Sequence, residues 1–366
     1  MKKVLFIVVC FLLVITTFIS CRKHECDDDS FEDKFLYVLT NNVDSNAVLT
    51  YRRSNTDGAL TYLSKTYTGG KGTGLPLMSQ GPISISNDKR WILAVNAGSN
   101  TISAFKITNK GLQLTSTISS NGNKPVSVTC FNNLVYVVNA NDNGNVSGYN
   151  LSEYGILSSV ENSVVTLDTT ATNPAQISFL NDGKMLALTL KTTNKIIAYN
   201  LNDNGSIGEK FSLTSNSPRP YGFAIGQQGN IYVSEAVQSA MSVYNVSATG
   251  ITSIAGPLLT NQISACWAAA SPNGKYIYIV NANSNSVTGY TINSLTSFTI
   301  MQPSGITAMT GIKPLDIAIS EYSMFAYVLN YDDQSIRVFN VTSTGGLEKT
   351  EDKFNLPLGS VGIAVK

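Results

Sequence analysis

The sequence predicts an all-β fold, a seven-bladed β-propeller of four-stranded antiparallel blades over residues 35–366, and three observations carry this prediction. A unit of about 48 residues recurs seven times along the chain. Each unit holds about four short runs of β-branched and aromatic residues, separated by turns of Gly, Asn, Asp and Ser. No segment shows a sustained apolar period of 3.6 residues, which argues against helices. Four strands per unit at this spacing are typical of a propeller, in which ring closure removes exposed sheet edges.

The copies follow one another with little intervening chain. They occupy residues 36–67, 81–118, 124–163, 173–213, 219–258, 264–302 and 313–355. In each copy the second strand ends on Asn or a substitute, at Thr40, Asn96, Asn139, Thr189, Ser234, Asn281 and Asn330. The first copy lacks the opening strand, and residues 356–366 match that strand in pattern. We therefore expect the C-terminus to complete blade one and close the ring.

The N-terminus predicts export from the cytoplasm. Lys2 and Lys3 precede an apolar run over residues 4–19, which is short for a bilayer core of ~30 Å. A basic start followed by a short apolar run is typical of a secretory signal. We expect residues 1–20 to be the signal peptide and residues 21–34, which are polar and charged, to be a tether.

The end of this signal, Phe18-Ile19-Ser20-Cys21, resembles the lipobox of bacterial lipoproteins. The resemblance implies that Cys21 carries lipid and anchors the chain in the outer membrane. The acidic cluster Asp27-Asp28-Asp29 is similar to surface-export signals of some lipoproteins, which would place the protein on the cell surface. The alternatives are a plain secretory signal with an incidental cysteine and a tether that is simply solvated.

Composition excludes several classes of function. The formal net charge is +1, with 25 Lys+Arg and 24 Asp+Glu, whereas a nucleic-acid binder needs a basic field. The one histidine, His24, lies in the tether, so a Ser-His-Asp or Cys-His centre in the repeats is excluded. Five cysteines, of which Cys10 would leave with the signal, make no disulfide framework. We expect a monomer without a cofactor.

The phrases YVVNA (136–140), YIVNAN (278–283) and AYVLN (326–330) resemble the YVTN-type lactonase propellers. That family includes cytosolic 6-phosphogluconolactonases and carboxymuconate lactonizing enzymes, and the resemblance covers about residues 36–366. It implies the propeller fold and a site of His, Arg and Glu at the central mouth of the ring. In such a site, imidazole and carboxylate move protons and guanidinium holds anionic oxygen.

The family site is only partly present in this sequence. Arg219, in Pro218-Arg219, and Glu235, in YVSEA, match the family Arg and Glu, and the resemblance implies catalytic roles for them. The family His falls near Gln176, and Gln cannot act as a general base near neutral pH. The alternative for Arg219 and Glu235 is a structural ion pair at the mouth.

The starts of the inner strands and the loops after the second strands share one face in propellers of this kind. This places a mixed polar and aromatic set around the mouth, with Asn96, Asn139, Glu235, Asn281 and Asn330 nearby. The set is Gln80, Lys124, Gln176, Arg219, Tyr221, Trp267, Lys313 and Asp316. It suits a polar small molecule, a glycan or a protein.

Acidic loop residues leave a calcium site as an alternative. Asp142, Asp332 and Asp333 could hold Ca²⁺ with carbonyl help, and turn chemistry explains them equally well. We expect no metal.

Two functions follow from the sequence. The first is a cell-envelope binding module whose mouth lacks the family His. The alternative is a lactone hydrolase, similar to 6-phosphogluconolactonase or carboxymuconate cyclase, that uses Glu235 and Arg219.

Overall fold

The structure, a computed structural model, describes residues 34–167 and 173–366. The predicted signal peptide (1–20), the predicted lipidation site Cys21 and residues 22–33 of the predicted tether lie outside the described residues. The described residues form seven antiparallel sheets, each built from one repeat and connected in chain order, with blade one at residues 35–67. The predicted seven-bladed propeller is therefore confirmed.

Each blade runs from an inner strand at the ring axis to an outer strand at the rim. From blade one to blade seven the inner strands are Val361–Val365, Ile83–Ile85, Pro125–Phe131, Pro174–Leu180, Pro220–Ile225, Ala265–Ala270 and Pro314–Ile319. The second strands are Phe35–Leu39, Trp91–Asn96, Leu134–Asn139, Met185–Leu190, Asn230–Glu235, Tyr276–Asn281 and Phe325–Asn330. The third strands are Ala47–Arg53, Thr101–Thr108, Asn145–Leu151, Lys195–Leu201, Ala240–Ser247, Ser286–Ser294 and Ser335–Val341.

The outer strands are less regular than the other three. They are Leu60–Tyr67, Gly111–Ser119, Ile207–Thr214, Gly250–Leu259 and Leu347–Lys353, and two blades carry split ones, Leu157–Ser159 with Val165–Thr166 and Ser297–Ile300 with Ala308–Met309. Both halves of a split strand pair with the third strand of the same blade, so four-stranded architecture is kept. The described residues contain one helical turn, Gln227–Gly229, and none of their helices is long and apolar enough to cross a membrane.

The ring closes as the sequence predicts. Strand Val361–Val365 pairs antiparallel with Phe35–Leu39 and becomes the inner strand of blade one. Both guanidinium Nε and Nη2 of Arg53 donate to the backbone carbonyl of Lys366, at 3.1 and 2.5 Å, which fixes the last residue against the third strand. The two ends of the described chain thus share one sheet.

Inner and second strands are buried because each sheet packs between two neighbours. Second strands such as Trp91–Asn96 and Tyr276–Asn281 are buried at every position, so they have no solvated face and are apolar along nearly their whole length. Outer strands such as Leu60–Tyr67 alternate exposed and partly buried residues at the rim. The buried apolar residues accordingly form several clusters between neighbouring blades.

The expected end of the second strand is wrong by one residue in two blades. The proline that opens the inner strand pairs with Leu190 in blade four and with Glu235 in blade five, as it pairs with Asn139 in blade three. Thr189 and Ser234, the residues expected at this position, lie one residue earlier. The shift puts Glu235 where other blades carry Asn.

Candidate functional site

The face at which inner strands begin and second strands end is here called the mouth face. At this face Pro125 pairs with Asn139, and Pro314 pairs with Asn330. The predicted set around the mouth does converge on this end of the axis. Some of its side chains are exposed to solvent, whereas others are buried and bond to neighbouring blades near the ring axis.

The residue after the first β-bulge of the inner strand joins neighbouring blades. Ser127 Oγ accepts a hydrogen bond from Ile177 N at 3.1 Å, and Gln176 Oε1 accepts one from Phe223 N at 2.6 Å. These side chains reach across to the inner strand of the next blade. Gln176, at the position of the family His, is therefore engaged in holding two blades together.

Asp316 occupies the same position in blade seven and is 3% exposed. Its Oδ1 accepts from Ile317 N at 2.9 Å and its Oδ2 accepts from Ile363 N at 3.1 Å, which ties blade seven to the closing strand. Burial raises the pKa of the Asp316 carboxyl to about 7 against the opposing effect of the two amides. The group is a structural contact of the hub.

Residues 77–82, here called the plug segment, cross the axis of the ring. Ser79 Oγ donates to the Val126 carbonyl in blade three at 2.8 Å. The Gln80 carboxamide reaches blade six, where Nε2 donates to the Ala268 carbonyl at 2.7 Å and Oε1 accepts from Ala268 N at 3.0 Å. The segment therefore bridges blades three and six across the axis, and Gln80 makes its contact with blade six.

The two predicted aromatic ligand contacts pack in this hub. Trp267 and Tyr221 are 1% and 2% exposed, with ring centroids 5.4 Å apart. Trp267 Nε1 donates to the Ser79 carbonyl at 3.0 Å. The Tyr221 hydroxyl is buried and has no hydrogen-bond partner among the described residues. Trp267 is thus part of the packing around the plug segment.

Glu235 is fully buried and its carboxylate is surrounded by donors. Ser242 Oγ donates to Oε2 and Tyr244 Oη donates to Oε1, both at 2.7 Å. The backbone amides of Asn216 and Ser217, in the linker entering blade five, also stabilise its charge. Burial raises the pKa of Glu235, and these hydrogen bonds oppose the rise.

No ion pair joins Glu235 to Arg219 among the described residues. The Asn residues at the equivalent positions of other blades make the same kind of buried contact. Asn96 Nδ2 donates to Ser103 Oγ at 2.8 Å, and Asn139 Nδ2 donates to the Ser120 carbonyl at 3.0 Å. The repeated Asn, and Glu235 with it, holds the turns of the mouth face in place.

The cations of the predicted set behave differently from its buried members. Lys313 faces Asp332 at 3.7 Å and its ammonium lies 5.3 Å from the Tyr331 ring centroid. Lys124 is partly exposed and Arg219 is exposed, and neither forms an ion pair among the described residues.

A third cation, Lys191, acts on the same region as Arg219 and Lys124 and is absent from the set predicted from the sequence. Its ammonium donates to the Met78 carbonyl of the plug segment and lies 4.6 Å from the Tyr221 ring centroid. The pKa of Lys191 is lowered to about 7, chiefly by burial; the Cys266 thiol opposes the shift, and the charges of Arg219 and Lys124 add to it.

A register signal for Lys191 exists in the sequence. With Leu190 as the end of the second strand, Lys191 stands at the position of Ala97, Ala140, Ala236 and Ala282 in other blades. A lysine at a place that takes alanine in four of the other six blades indicates a local role. The signal is visible only after the one-residue shift of blade four is known.

The acidic loop residues make ordinary turn contacts. Asn123 Nδ2 donates to Asp142 Oδ2 at 2.5 Å, and Asp333 Oδ2 accepts from Ile312 N at 3.0 Å. Within residues 34–167 and 173–366, no group of three or more His, Cys, Asp or Glu side chains could hold a metal ion.

Comparison with known proteins gives the same architecture. Residues 31–166 match the family described as "Lactonase, 7-bladed beta-propeller". No curated protein matches the sequence.

Three solved structures illustrate the similarity. A candidate 6-phosphogluconolactonase from Bacteroides fragilis is 17% identical with a TM-score of 0.75, over 92% of this chain and 99% of that one. A protein from Lactobacillus plantarum is 16% identical with a TM-score of 0.75, over 91% and 99%. The periplasmic gluconolactonase of Pseudomonas aeruginosa is 14% identical with a TM-score of 0.74, over 91% and 98%. At these identities the likeness is one of fold, a seven-bladed β-propeller, and the match to the lactonase family model is confined to residues 31–166.

Proposed function

We propose that this chain is a non-catalytic binding propeller whose mouth face takes a polar ligand. The observation that carries the proposal is the environment of Glu235. A general base must reach the proton that it removes. The Glu235 carboxylate is fully buried and held by Ser242 and Tyr244.

The rest of the family site supports the same conclusion. Gln176 stands at the position of the family His, and its Oε1 is bonded to the backbone of the next blade. The plug segment crosses the axis between blades three and six, on the face where a lactone would have to meet these groups. The exposed cations at the mouth can hold an anionic or polar group without chemistry.

We also propose that the protein works in the cell envelope, anchored by lipid on Cys21. The signal-like N-terminus and the Phe18-Ile19-Ser20-Cys21 sequence support this location. Labelling cells with an alkyne-tagged fatty acid tests it: the chain should be labelled, and Cys21→Ser should abolish the label. Equal labelling of the variant would overturn the anchor.

A lactone hydrolase is the second candidate, and the fold favours it. The chain resembles a gluconolactonase and a candidate 6-phosphogluconolactonase, and Arg219 is exposed at the mouth. In this alternative Arg219 holds the lactone oxygen and Glu235 directs water. It requires the Glu235 carboxylate to leave its present hydrogen bonds.

A hydrolysis screen separates the two. The full chain is incubated with δ-gluconolactone, 6-phosphogluconolactone and simple esters, beside Glu235→Gln and the exposed control Glu209→Gln. We expect ring opening at the buffer rate for all three proteins. Turnover that Glu235→Gln abolishes and Glu209→Gln retains would overturn the binding proposal.

A further inference from the structure

We infer that the mouth face holds an oxyanion site formed by Lys191, Tyr221, Arg219 and Lys124, which binds the carboxylate or phosphate of a small ligand. The inference rests on the proposed binding function and gives that function a ligand class. Tyr221 also packs against Trp267, and Lys191 also bonds to the plug segment, but the Tyr221 hydroxyl and two of the three Lys191 donors are left over from these contacts. The four residues come from three different blades and meet at the edge of the plug segment.

Uncompensated positive charge is the first observation. Lys191 is 4% exposed, and Arg219 and Lys124 lie close enough for their charges to act on its ammonium. Among the described residues, no Asp or Glu forms an ion pair with any of the three. Buried charges are normally paired, and Lys191 instead has its pKa lowered by burial, so no acidic side chain of the described residues offsets the positive charge that the cluster carries near neutral pH.

Unused hydrogen-bond donors are the second observation. The Tyr221 hydroxyl is buried without a partner, although buried polar groups are nearly always bonded. The Lys191 ammonium has three donors, and one of them is directed to the Met78 carbonyl. A bound oxyanion would accept from the remaining ammonium donors and lies within reach of the phenol of the same cluster.

The side from which a ligand enters follows from exposure. Met78 is 42% exposed and Arg219 is exposed, whereas Lys191 is buried and its ammonium donates to the Met78 carbonyl. A ligand oxygen would therefore approach from the Met78 side, with the exposed Arg219 and the partly exposed Lys124 toward solvent and Lys191 innermost.

Charge decides between oxyanions and neutral sugars. Three cations without a counter-charge gain little from a hydroxyl group and much from a carboxylate or phosphate, because charge-assisted hydrogen bonds are about twice as strong as neutral ones. Arg219 can bind either oxyanion through two parallel N–H bonds. The ligand class is thus a small organic acid or phosphate ester.

The test is isothermal titration calorimetry on the full chain with gluconate and glucose 6-phosphate, and with glucose as the neutral probe. We expect at least one of the two anions to bind and glucose not to bind. Lys191→Met should weaken the anion at least tenfold and Tyr221→Phe about threefold, whereas Lys191→Arg should retain part of the affinity. The control Lys184→Met, an exposed lysine in the turn opposite the mouth face, should bind as wild type.

Proton uptake gives a readout that a structural role would not change. The groups facing the Lys191 ammonium are Tyr221, Cys266, Arg219 and Lys124. An anion beside Lys191 favours its charged form, so binding near pH 7 should take up a proton, seen as a dependence of the heat on buffer ionisation. Lys191→Met should abolish this dependence.

The proposed oxyanion site would be overturned by any of three results: neither anion binds at millimolar concentration, glucose binds as tightly as the anions, or Lys191→Met binds the anion as tightly as wild type. Melting curves of each variant confirm folding before titration. Lactone turnover by the same preparation would contradict the proposed function and leave the oxyanion site standing, so the two failures are distinguishable.

Discussion

At the scale of single residues, the buried Glu235 carboxylate, at the end of the second strand of blade five, has a structural environment. Glu235 accepts from Ser242 and Tyr244 and is close to two linker amides, so its charge holds blade five to the linker that precedes it. The same position carries Asn in other blades and serves the same purpose there. Chemical similarity to a catalytic Glu is therefore no guide to its role here.

Glu235→Gln should lower the free energy of unfolding by about 1–3 kcal/mol, because an amide NH₂ then faces donors that remain buried. Denaturant melts measure the change, with the exposed Glu209→Gln as control. A variant as stable as wild type would show that the carboxylate is not held in this way.

Because the pKa of Lys191 is lowered in the folded protein, we expect the free energy of unfolding to depend on pH. This pKa is about 7 in the folded protein and near 10.5 when unfolded, so between these values the unfolded chain binds more protons. The contribution of Lys191 to the free energy of unfolding should therefore rise with pH, by up to about 1.4 kcal/mol per unit from pH 7.5 to 9. Below pH 7 its penalty is complete and constant.

The measurement is the difference in unfolding free energy between wild type and Lys191→Met, which cancels the titration of cysteines and tyrosines. A difference that does not change from pH 7.5 to 9 would contradict a neutral, buried amine. Lys184→Met serves as the exposed control.

At the scale of elements, the plug segment connects the inner strands of blades three and six at the centre of the ring. Gly222 makes room for it, since a Cβ at that position would collide with Gln80 Oε1. Gly222→Ala should therefore lower the free energy of unfolding by about 2 kcal/mol. In a Gln80→Ala background the same change should lower it by less than about 1 kcal/mol, because the colliding atom is gone.

Equal effects in the two backgrounds would show that Gly222 does not accommodate Gln80. Chemical denaturation of the four proteins gives the coupling. The neighbouring Cys266 carbonyl, at 3.0 Å from the same Cβ, accounts for the part that remains.

The strands could be predicted from sequence because their signals are local, whereas the plug could not. Alternating apolar residues and Asn- and Gly-rich turns recur within each repeat, as in Tyr276–Asn281 and the turn that follows it. Gln80 instead meets Ala268, 188 residues later, and nothing in its own neighbourhood marks that contact. The sequence pattern also could not tell which members of the predicted mouth set are buried, such as Trp267 and Asp316, and which are exposed, such as Arg219.

At the scale of the whole molecule, stability depends on closure by the last strand. Val361 and Ile363 are 4% and 6% exposed, and the strand pairs with the first strand of blade one. Deleting residues 358–366 should remove at least about 4 kcal/mol of apolar burial and hydrogen bonding. The melting temperature should fall on the order of 10 °C.

Adding a peptide of residues 356–366 should restore part of the lost stability, because the empty edge of blade one accepts a strand. Differential scanning calorimetry reports both results. A truncated chain with an unchanged melting temperature would contradict ring closure by the C-terminus.

The whole-molecule claim is that the mouth face binds without opening lactones. Calorimetry of the full chain tests this claim most directly, because binding heat saturates and turnover gives heat flow that continues. The account predicts a saturable heat with gluconate or glucose 6-phosphate, and with δ-gluconolactone no sustained heat flow above that of buffer. Sustained heat flow proportional to protein concentration, lost in Glu235→Gln and kept in Glu209→Gln, would contradict it.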